Sequence, residues 1–206
     1  MIKAKHHKVI YPMFQWLARF FIKRNFNAVC IDGEFADNGK SVLVIANHVS
    51  WWDGFWVEFL NQKIIHRRFH FMMLEEQLRK HWYFKYSGGF SVKRKSRSII
   101  ESLNYSIGLL KQPGNMVLMF PQGQIHSVYD DVVIFEKGVE RVINNTSFET
   151  QILFVANLVD YFSDIKPNLY IYIKPFLAKD FQQSNIERVY NHFYKQVINV
   201  QKAKIS

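Results

Sequence analysis

Apolar positions along the chain recur at two spacings, and the two spacings alternate from one end to the other. Unbroken apolar runs such as "AVCID" (28–32), "SVLVIA" (41–46), "NMVLMF" (115–120) and "TQILFVAN" (150–157) have the length of strands buried on both faces. "RFHFMML" (68–74) and "NLYIYIK" (168–174) also read as strands. Between these runs lie "WWDGFWVEFLNQ" (51–62), "EEQLRKHWYFKY" (75–86) and "SRSIIESLNYSIGLLKQ" (96–112), which predict helices. "GGFSVKR" (88–94) predicts a turn and a strand, and Ile186, Val189, Tyr190, Phe193 and Val197 predict a closing amphipathic helix. Such alternation implies an α/β fold, with helices flanking a largely parallel sheet. No linker, low-complexity tract or internal repeat divides the 206 residues, so residues 1–206 are expected to form a single domain.

The first element has a different pattern. In "PMFQWLARFFIKR" (12–24), Gln15, Arg19 and Lys23 share a narrow polar wedge, and apolar side chains, most of them aromatic, fill nearly all the rest. At about 1.5 Å per residue this helix is roughly 20 Å long, too short to span a bilayer. Its wide apolar arc, cationic stripe and Trp16 fit an amphipathic helix lying in a lipid interface, with residues 1–26 as the membrane-interface segment. A helix packed on its own domain fits the same pattern. No stretch reaches the roughly 18 uninterrupted apolar residues of a spanning helix, and "MIKAKHHKVI" lacks the apolar core of a secretory signal.

Composition narrows the classes of partner. Hydrophobic residues make up 49% of the chain, which excludes a disordered tail. The formal net charge of +10 favours an acidic partner: nucleic acid, anionic lipid or an acidic carrier protein. Aromatics reach 17%, with nineteen Phe and five Trp, which suits a membrane interface better than a nucleic-acid groove. No RNP, zinc-finger or helix-turn-helix signature is present, so no nucleic-acid partner is expected. The single cysteine, Cys30, excludes an internal disulfide and reads as a small buried strand residue in a reducing compartment. His6, His7, His66, His70 and His81 have no acidic or cysteine companions at metal-ligand spacing, so no metal is expected.

The candidate chemistry sits at "NHVSWWDG" (47–54), directly after the run "SVLVIA". A plain turn explains part of it. Ser50 reads as a helix N-cap, and Asp53 as the N3 carboxylate of a capping box. That leaves His48, and Asn47 beside it, without a role. A strand end, a tight turn and a first helical turn also let Asp53 look back at His48. A carboxylate on one imidazole nitrogen fixes the tautomer, and the other nitrogen is then free to take a proton from a hydroxyl. No G-x-S-x-G elbow supplies a serine nucleophile, which fits a substrate hydroxyl in that part.

Further blocks follow in order: "GGFSVKR" (88–94), "FPQG" (120–123) and "FEKG" (135–138). With them the chain resembles the glycerolipid acyltransferase superfamily, of the lysophosphatidate acyltransferase type, over about residues 41–160. The blocks of that family are N-H-x4-D, a Gly-x-Ile/Phe-x-x-x-Arg block, F-P-E-G-T-R and a Pro-containing strand. The first is complete in Asn47, His48 and Asp53, and the second is matched by Gly88, Phe90 and Arg94. The resemblance implies His48 as general base and Asp53 as its orienting partner. It implies Gly88, Phe90 and Arg94 as part of a substrate site, and Phe120, Pro121, Gln122 and Gly123 as the loop near acceptor or oxyanion. Where the family has Glu, Thr and Arg, this chain has Gln122, Gln124 and Ile125, and Phe154 stands at the proline of the fourth block.

The expected function is therefore transfer of a fatty acyl group from an acyl-CoA or acyl carrier protein thioester to a hydroxyl of a glycerolipid or other lipid-like acceptor. Apart from the donor no cofactor is expected. The expected location is peripheral, on the cytoplasmic face of a membrane. A catalytically degenerate lipid-binding protein of the same fold, or an acyltransferase for a glycosylated non-phosphate lipid, fits the same residues.

Overall fold

β2 (Val42–Ala46) is buried at every position, as a strand must be when helices cover both faces of its sheet. Around it the chain builds one seven-stranded sheet. The structure is a computed structural model that describes residues 1–93, 98–181 and 184–204. The other strands are β1 (Val29–Asp32), β3 (Arg68–Leu74), β4 (Gly89–Val92), β5 (Asn115–Met119), β6 (Gln151–Asp160) and β7 (Asn168–Leu177). Their spatial order is β1-β7-β6-β2-β5-β3-β4. All neighbours are parallel except β6 and β7, an antiparallel pair running from Gln151 opposite Leu177 to Asp160 opposite Asn168.

The period-two alternation of strand side chains feeds two cores. Leu43 and Ile45 point to one face, where α4 (Ser98–Leu110), α5 (Val139–Asn144) and α6 (Ile186–Lys202) bring Leu103, Val142, Tyr190 and Phe193. Val42, Val44 and Ala46 point to the other, covered by α1 (Ile10–Asn25), α2 (Asp53–Leu60) and α3 (Glu75–Lys80) through Phe14, Ile22, Trp56, Leu60 and Leu78. The α/β expectation is met, with the single antiparallel pair at the β1 side of the sheet.

Several elements differ from the sequence reading. The helix expected over 75–86 is broken: α3 ends at Lys80, His81 leaves the helical region (φ −111°, ψ 57°), and Trp82–Ser87 form a 3-10 turn. This break turns Trp82 and Tyr83 outward while Phe84 enters the core. α2 continues into one turn of π-helix, Asn61–Ile65, which His66 ends in the left-handed region at φ 56°. The Asn61 side chain accepts from the Arg67 N–H and donates to the Arg67 carbonyl, so it steers the chain into β3. The short helix α5 was not expected. Cys30 is exposed, contrary to the buried position assigned to it, because it lies on the edge strand β1, where alternate residues face solvent.

α1 packs on its own domain along one side and leaves apolar side chains exposed on the other. Phe14, Ala18 and Ile22 are buried in the domain, while Met13, Trp16 and Phe20 remain exposed. Gln15 turns inward and donates to the buried Glu58 at 2.8 Å. Ahead of the helix, the N–H groups of Lys5 and His7 donate to the carbonyls of Lys85 and Tyr86, and Ile2 accepts from Ser91 of β4. The first residues are thus fastened to the same body as the rest.

Candidate active site

β2 delivers the motif at its carboxyl end. Past the last ladder pair, Ala46 with Val155, the Asn47 amide donates to the Asn157 carbonyl at 3.0 Å and accepts from the Asn157 N–H at 2.8 Å. This reciprocal pair is fully buried and holds the tip of β2 to β6. It gives Asn47 the role that the turn reading left unfilled.

The chain then turns, and α2 begins at Asp53. One carboxylate oxygen of Asp53 accepts from His48 Nδ1 at 2.9 Å, from the Val49 N–H at 2.7 Å and from the Ser50 N–H at 2.9 Å. The capping-box reading is corrected here. Asp53 is the first helical residue, the helix start has no side-chain cap, and among the described residues the Ser50 hydroxyl accepts only from Trp52 N–H, at 3.2 Å. The carboxylate faces back into the loop because the imidazole and two loop amides are its partners. Asp53 is fully buried, and burial pushes its carboxyl up, against the opposing pull of His48 and the two amides. Its second oxygen has no hydrogen-bond partner among the described residues, so a proton placed there would find no acceptor.

A second loop, following β5, grips His48. Gln122 Oε1 accepts from the His48 N–H at 2.6 Å, and the His126 N–H donates to the His48 carbonyl at 2.9 Å. Phe120 stacks on the imidazole with ring centroids 4.1 Å apart and planes 12° apart. Gly123 closes this loop with a positive φ of 66° and an N–H bond to the Phe120 carbonyl at 3.1 Å. With Nδ1 on Asp53, the Nε2 of His48 makes no hydrogen bond to a described residue.

His48 borders a cavity of about 450 Å³, within the range of about 300–1,000 Å³ usual for small-molecule sites. Six phenylalanines form much of its wall: Phe14 from α1, Phe55 from α2, Phe69 and Phe71 from β3, Phe84 from the 3-10 turn and Phe120 from the loop after β5. Met72, Met73, Leu74, Val92 and Met119 add further apolar surface, and Gln77 and Gln124 are the amides on the lining. The sequence showed none of this chamber, because its wall is drawn from segments far apart in the chain. The excess of phenylalanine was the only trace of it.

The remaining expected site residues divide into three groups. Phe120 and Gly123 line the cavity, and Gln122 holds the His48 backbone. Pro121 is buried behind the loop, its carbonyl accepting from the Glu136 N–H at 2.8 Å, and it does not line the cavity. Gly88 and Phe90 lie outside the cavity lining too. Gly88 takes φ 105° in close approach to the Phe69 carbonyl, leaving no room for a Cβ, and Phe90 is fully buried against Tyr105. Their residue types are explained by backbone geometry and packing. Arg94 lies outside the described residues. Among those described, no group of three or more His, Cys, Asp or Glu is placed to hold a metal ion.

At the carboxyl end of β2 a buried carboxylate, an imidazole and an apolar chamber adjoin, an arrangement able to move a proton beside a bound hydrocarbon chain. Comparison with known proteins gives the family. Residues 27–178 match the family described as Acyltransferase, and the chain belongs to that family. Its fold is similar to the crystal structure of the 1-acyl-sn-glycerophosphate (LPA) acyltransferase, PlsC, from Thermotoga maritima. That likeness has a TM-score of 0.68 at 20% sequence identity, covering 95% of this chain and 81% of the other. No curated protein matches the sequence.

Proposed function

We propose that the protein moves a fatty acyl group from an acyl thioester, acyl-CoA or acyl carrier protein, to a hydroxyl of a glycerolipid or other lipid-like acceptor. The observation that carries this reading is the His48–Asp53 pair at 2.9 Å on the border of the apolar chamber. The chamber takes the acyl chain, and the thioester carbonyl lies beside His48. Nε2 of His48 removes the acceptor's hydroxyl proton as its oxygen forms a bond to the carbonyl carbon. The tetrahedral intermediate collapses, the C–S bond breaks, and the thiolate leaves with the proton from the imidazolium. Asp53 holds the imidazole and offsets its positive charge during the transfer. No further cofactor enters this scheme.

The same reading puts the enzyme on a membrane surface, where an acceptor of this kind resides. Ring contacts join Trp16 to Phe20, Phe20 to Phe21, Phe21 to Trp52 and Trp52 to Trp51, all within 5.8 Å between centroids. Trp16, Phe20, Trp51 and Trp52 are exposed, and Arg19, Lys23 and Arg24 of α1 are exposed too. An aromatic patch with cations suits an anionic lipid interface. Among the described residues no helix is long and apolar enough to cross a membrane, so contact would be peripheral. Both donor types are cytoplasmic molecules, and this reading assigns the enzyme to that face.

The test is acyl transfer by purified full-length protein from hexadecanoyl-CoA and from hexadecanoyl carrier protein to a panel of lysolipid acceptors, followed by mass spectrometry. His48→Ala is expected to lose about 10²- to 10⁴-fold in rate with its thermal transition retained. Near-parental turnover in a folded His48→Ala protein overturns the mechanism.

A further inference from the structure

Resting on the acyl-transfer reading above, we infer that Gln124, His126 and Asp130 form an acceptor subsite that recognises an uncharged, hydroxyl-rich lipid headgroup. The three lie on the loop after β5, and the first clue is where that loop sits. Gln124 shares the cavity lining with His48, and the His126 N–H is bonded directly to the His48 carbonyl. A headgroup held by these side chains is therefore held next to the base.

Their hydrogen bonding has a single consistent sense. His126 Nδ1 lies 3.2 Å from Asp130 Oδ2, and His126 Nε2 lies 3.2 Å from Gln124 Nε2. An amide NH₂ only donates, so Nε2 of the imidazole must accept, and the ring proton must sit on Nδ1, where Asp130 accepts it. One neutral tautomer satisfies both contacts. Gln124 then retains its carbonyl oxygen and a second N–H, neither bonded to a described residue. An acceptor and a donor side by side match neighbouring hydroxyls, which both give and take hydrogen bonds.

Charge argues in the same direction. Residues 120–136 contain no Lys or Arg, the next cation being Lys137 at the far end of the loop, but they include Asp130, Asp131 and Glu136. A phosphate is recognised by guanidinium forks, ammonium groups or bare backbone amides, and adjacent carboxylates repel it. A neutral polyol meets no such penalty. The flanks of the loop are apolar: Ile125 borders the cavity, and Val128, Tyr129, Val132 and Ile134 are exposed. Polar atoms beside the base with apolar side chains around them fit an amphiphile, a neutral headgroup carrying a hydrocarbon chain.

Two measurements on full-length protein test this. In the first, octyl glucoside or octyl phosphate is titrated into the His48→Ala protein with ¹⁵N-labelled histidines. Octyl glucoside is expected to shift the His126 ring signals, and octyl phosphate to leave them in place. In the second, His126→Ala is expected to raise the acceptor KM for a neutral monoacylglycerol about three- to tenfold, with a smaller change in the donor KM. His126→Gln, which keeps a hydrogen-bonding amide, is expected to recover part of the loss. The inference is overturned if octyl phosphate alone moves the His126 signals, or if His126→Ala leaves the neutral-acceptor KM unchanged. Failure of the acyl-transfer reading looks different: the parent protein transfers to neither monoacylglycerol nor its phosphate. The binding measurement still decides the subsite in that case.

Discussion

His48 and Phe120 lie nearly flat against each other, brought together from the loops that follow β2 and β5. Asp53 fixes the imidazole at its edge, and Phe120 fixes it at its face. The two contacts together set both position and tilt, which a hydrogen bond alone leaves free. In the proposed mechanism the phenyl face also offers its negative quadrupole to the His48 imidazolium. Phe120→Leu keeps an apolar side chain there and removes the ring. A fall of about 2- to 30-fold in kcat is expected, with little change in the donor KM, measured by thiol release from acyl-CoA.

Asp53→Asn preserves shape and removes charge. The N–H groups of Val49 and Ser50 still need an acceptor, so the amide oxygen is expected to stay in the loop and the fold to survive. What is lost is the charge that the proposed mechanism places beside His48, and transfer should fall by two orders of magnitude or more, on the order of the general-base contribution itself. Turnover and circular dichroism measured on the same sample separate the two effects.

Gly54 offers a way to probe the chamber. It lies in α2 on the cavity lining, and a Cβ built there meets nothing within 4 Å. Gly54→Ala is expected to raise stability by about 0.5–1 kcal/mol through helix propensity alone. Gly54→Leu projects into the chamber and should raise the KM for hexadecanoyl-CoA several-fold more than that for octanoyl-CoA. Equal effects on both donors would remove the acyl chain from this cavity.

His6 and His70 predict an acid-sensitive fold. Their rings meet edge to face at 4.7 Å, and His6 Nε2 donates to the Phe69 carbonyl at 2.8 Å. Burial lowers both from 6.5 to about 4, aided by the Arg68 charge at His6 and by His6 itself at His70. The unfolded chain therefore binds protons between these values that the folded chain refuses. The sign follows directly: stability is complete above pH 6.5 and is lost as pH falls toward 4. His70→Phe, or His6→Gln, should flatten the decline of the thermal midpoint over that window. An unchanged slope in both variants would assign the acid sensitivity elsewhere.

Trp16 and Phe20 stack at 5.2 Å on the outer side of α1, with no place in either core. Replacing both with Ser leaves the net charge intact and is expected to weaken sedimentation with anionic liposomes by about tenfold, because the proposed membrane contact would bury both aromatic side chains in the lipid interface. Equal pelleting of parent and variant would leave binding to the basic surface alone.

The sequence exposed most of the sheet because buried parallel strands have an unmistakable composition. "SVLVIA" and "NMVLMF" are β2 and β5 within a residue or so. His48 and Asp53 were legible for a different reason, since a histidine at a strand tip had no structural explanation. What stayed hidden depended on tertiary contact. The break at His81 follows from which of Trp82, Tyr83 and Phe84 meets the core, a fact absent from local periodicity. Gly88 and Phe90 matched a motif, yet close approach to Phe69 and packing on Tyr105 account for them. His126 and Asp130 were passed over because a four-residue spacing in a loop carries no periodic signal.

Phe14 stands on the inner side of α1 and forms part of the chamber wall, while Trp16 and Phe20 stand on its outer side. One helix is therefore both hull and cabin wall. Truncating the chain ahead of β1 to obtain a better-behaved enzyme would strip the greasy exterior and breach the compartment in the same cut, so lost binding and lost turnover would be inseparable in that fragment. Solubility has to be engineered by repainting the outside of α1 residue by residue, with Phe14, Ala18 and Ile22 left in place.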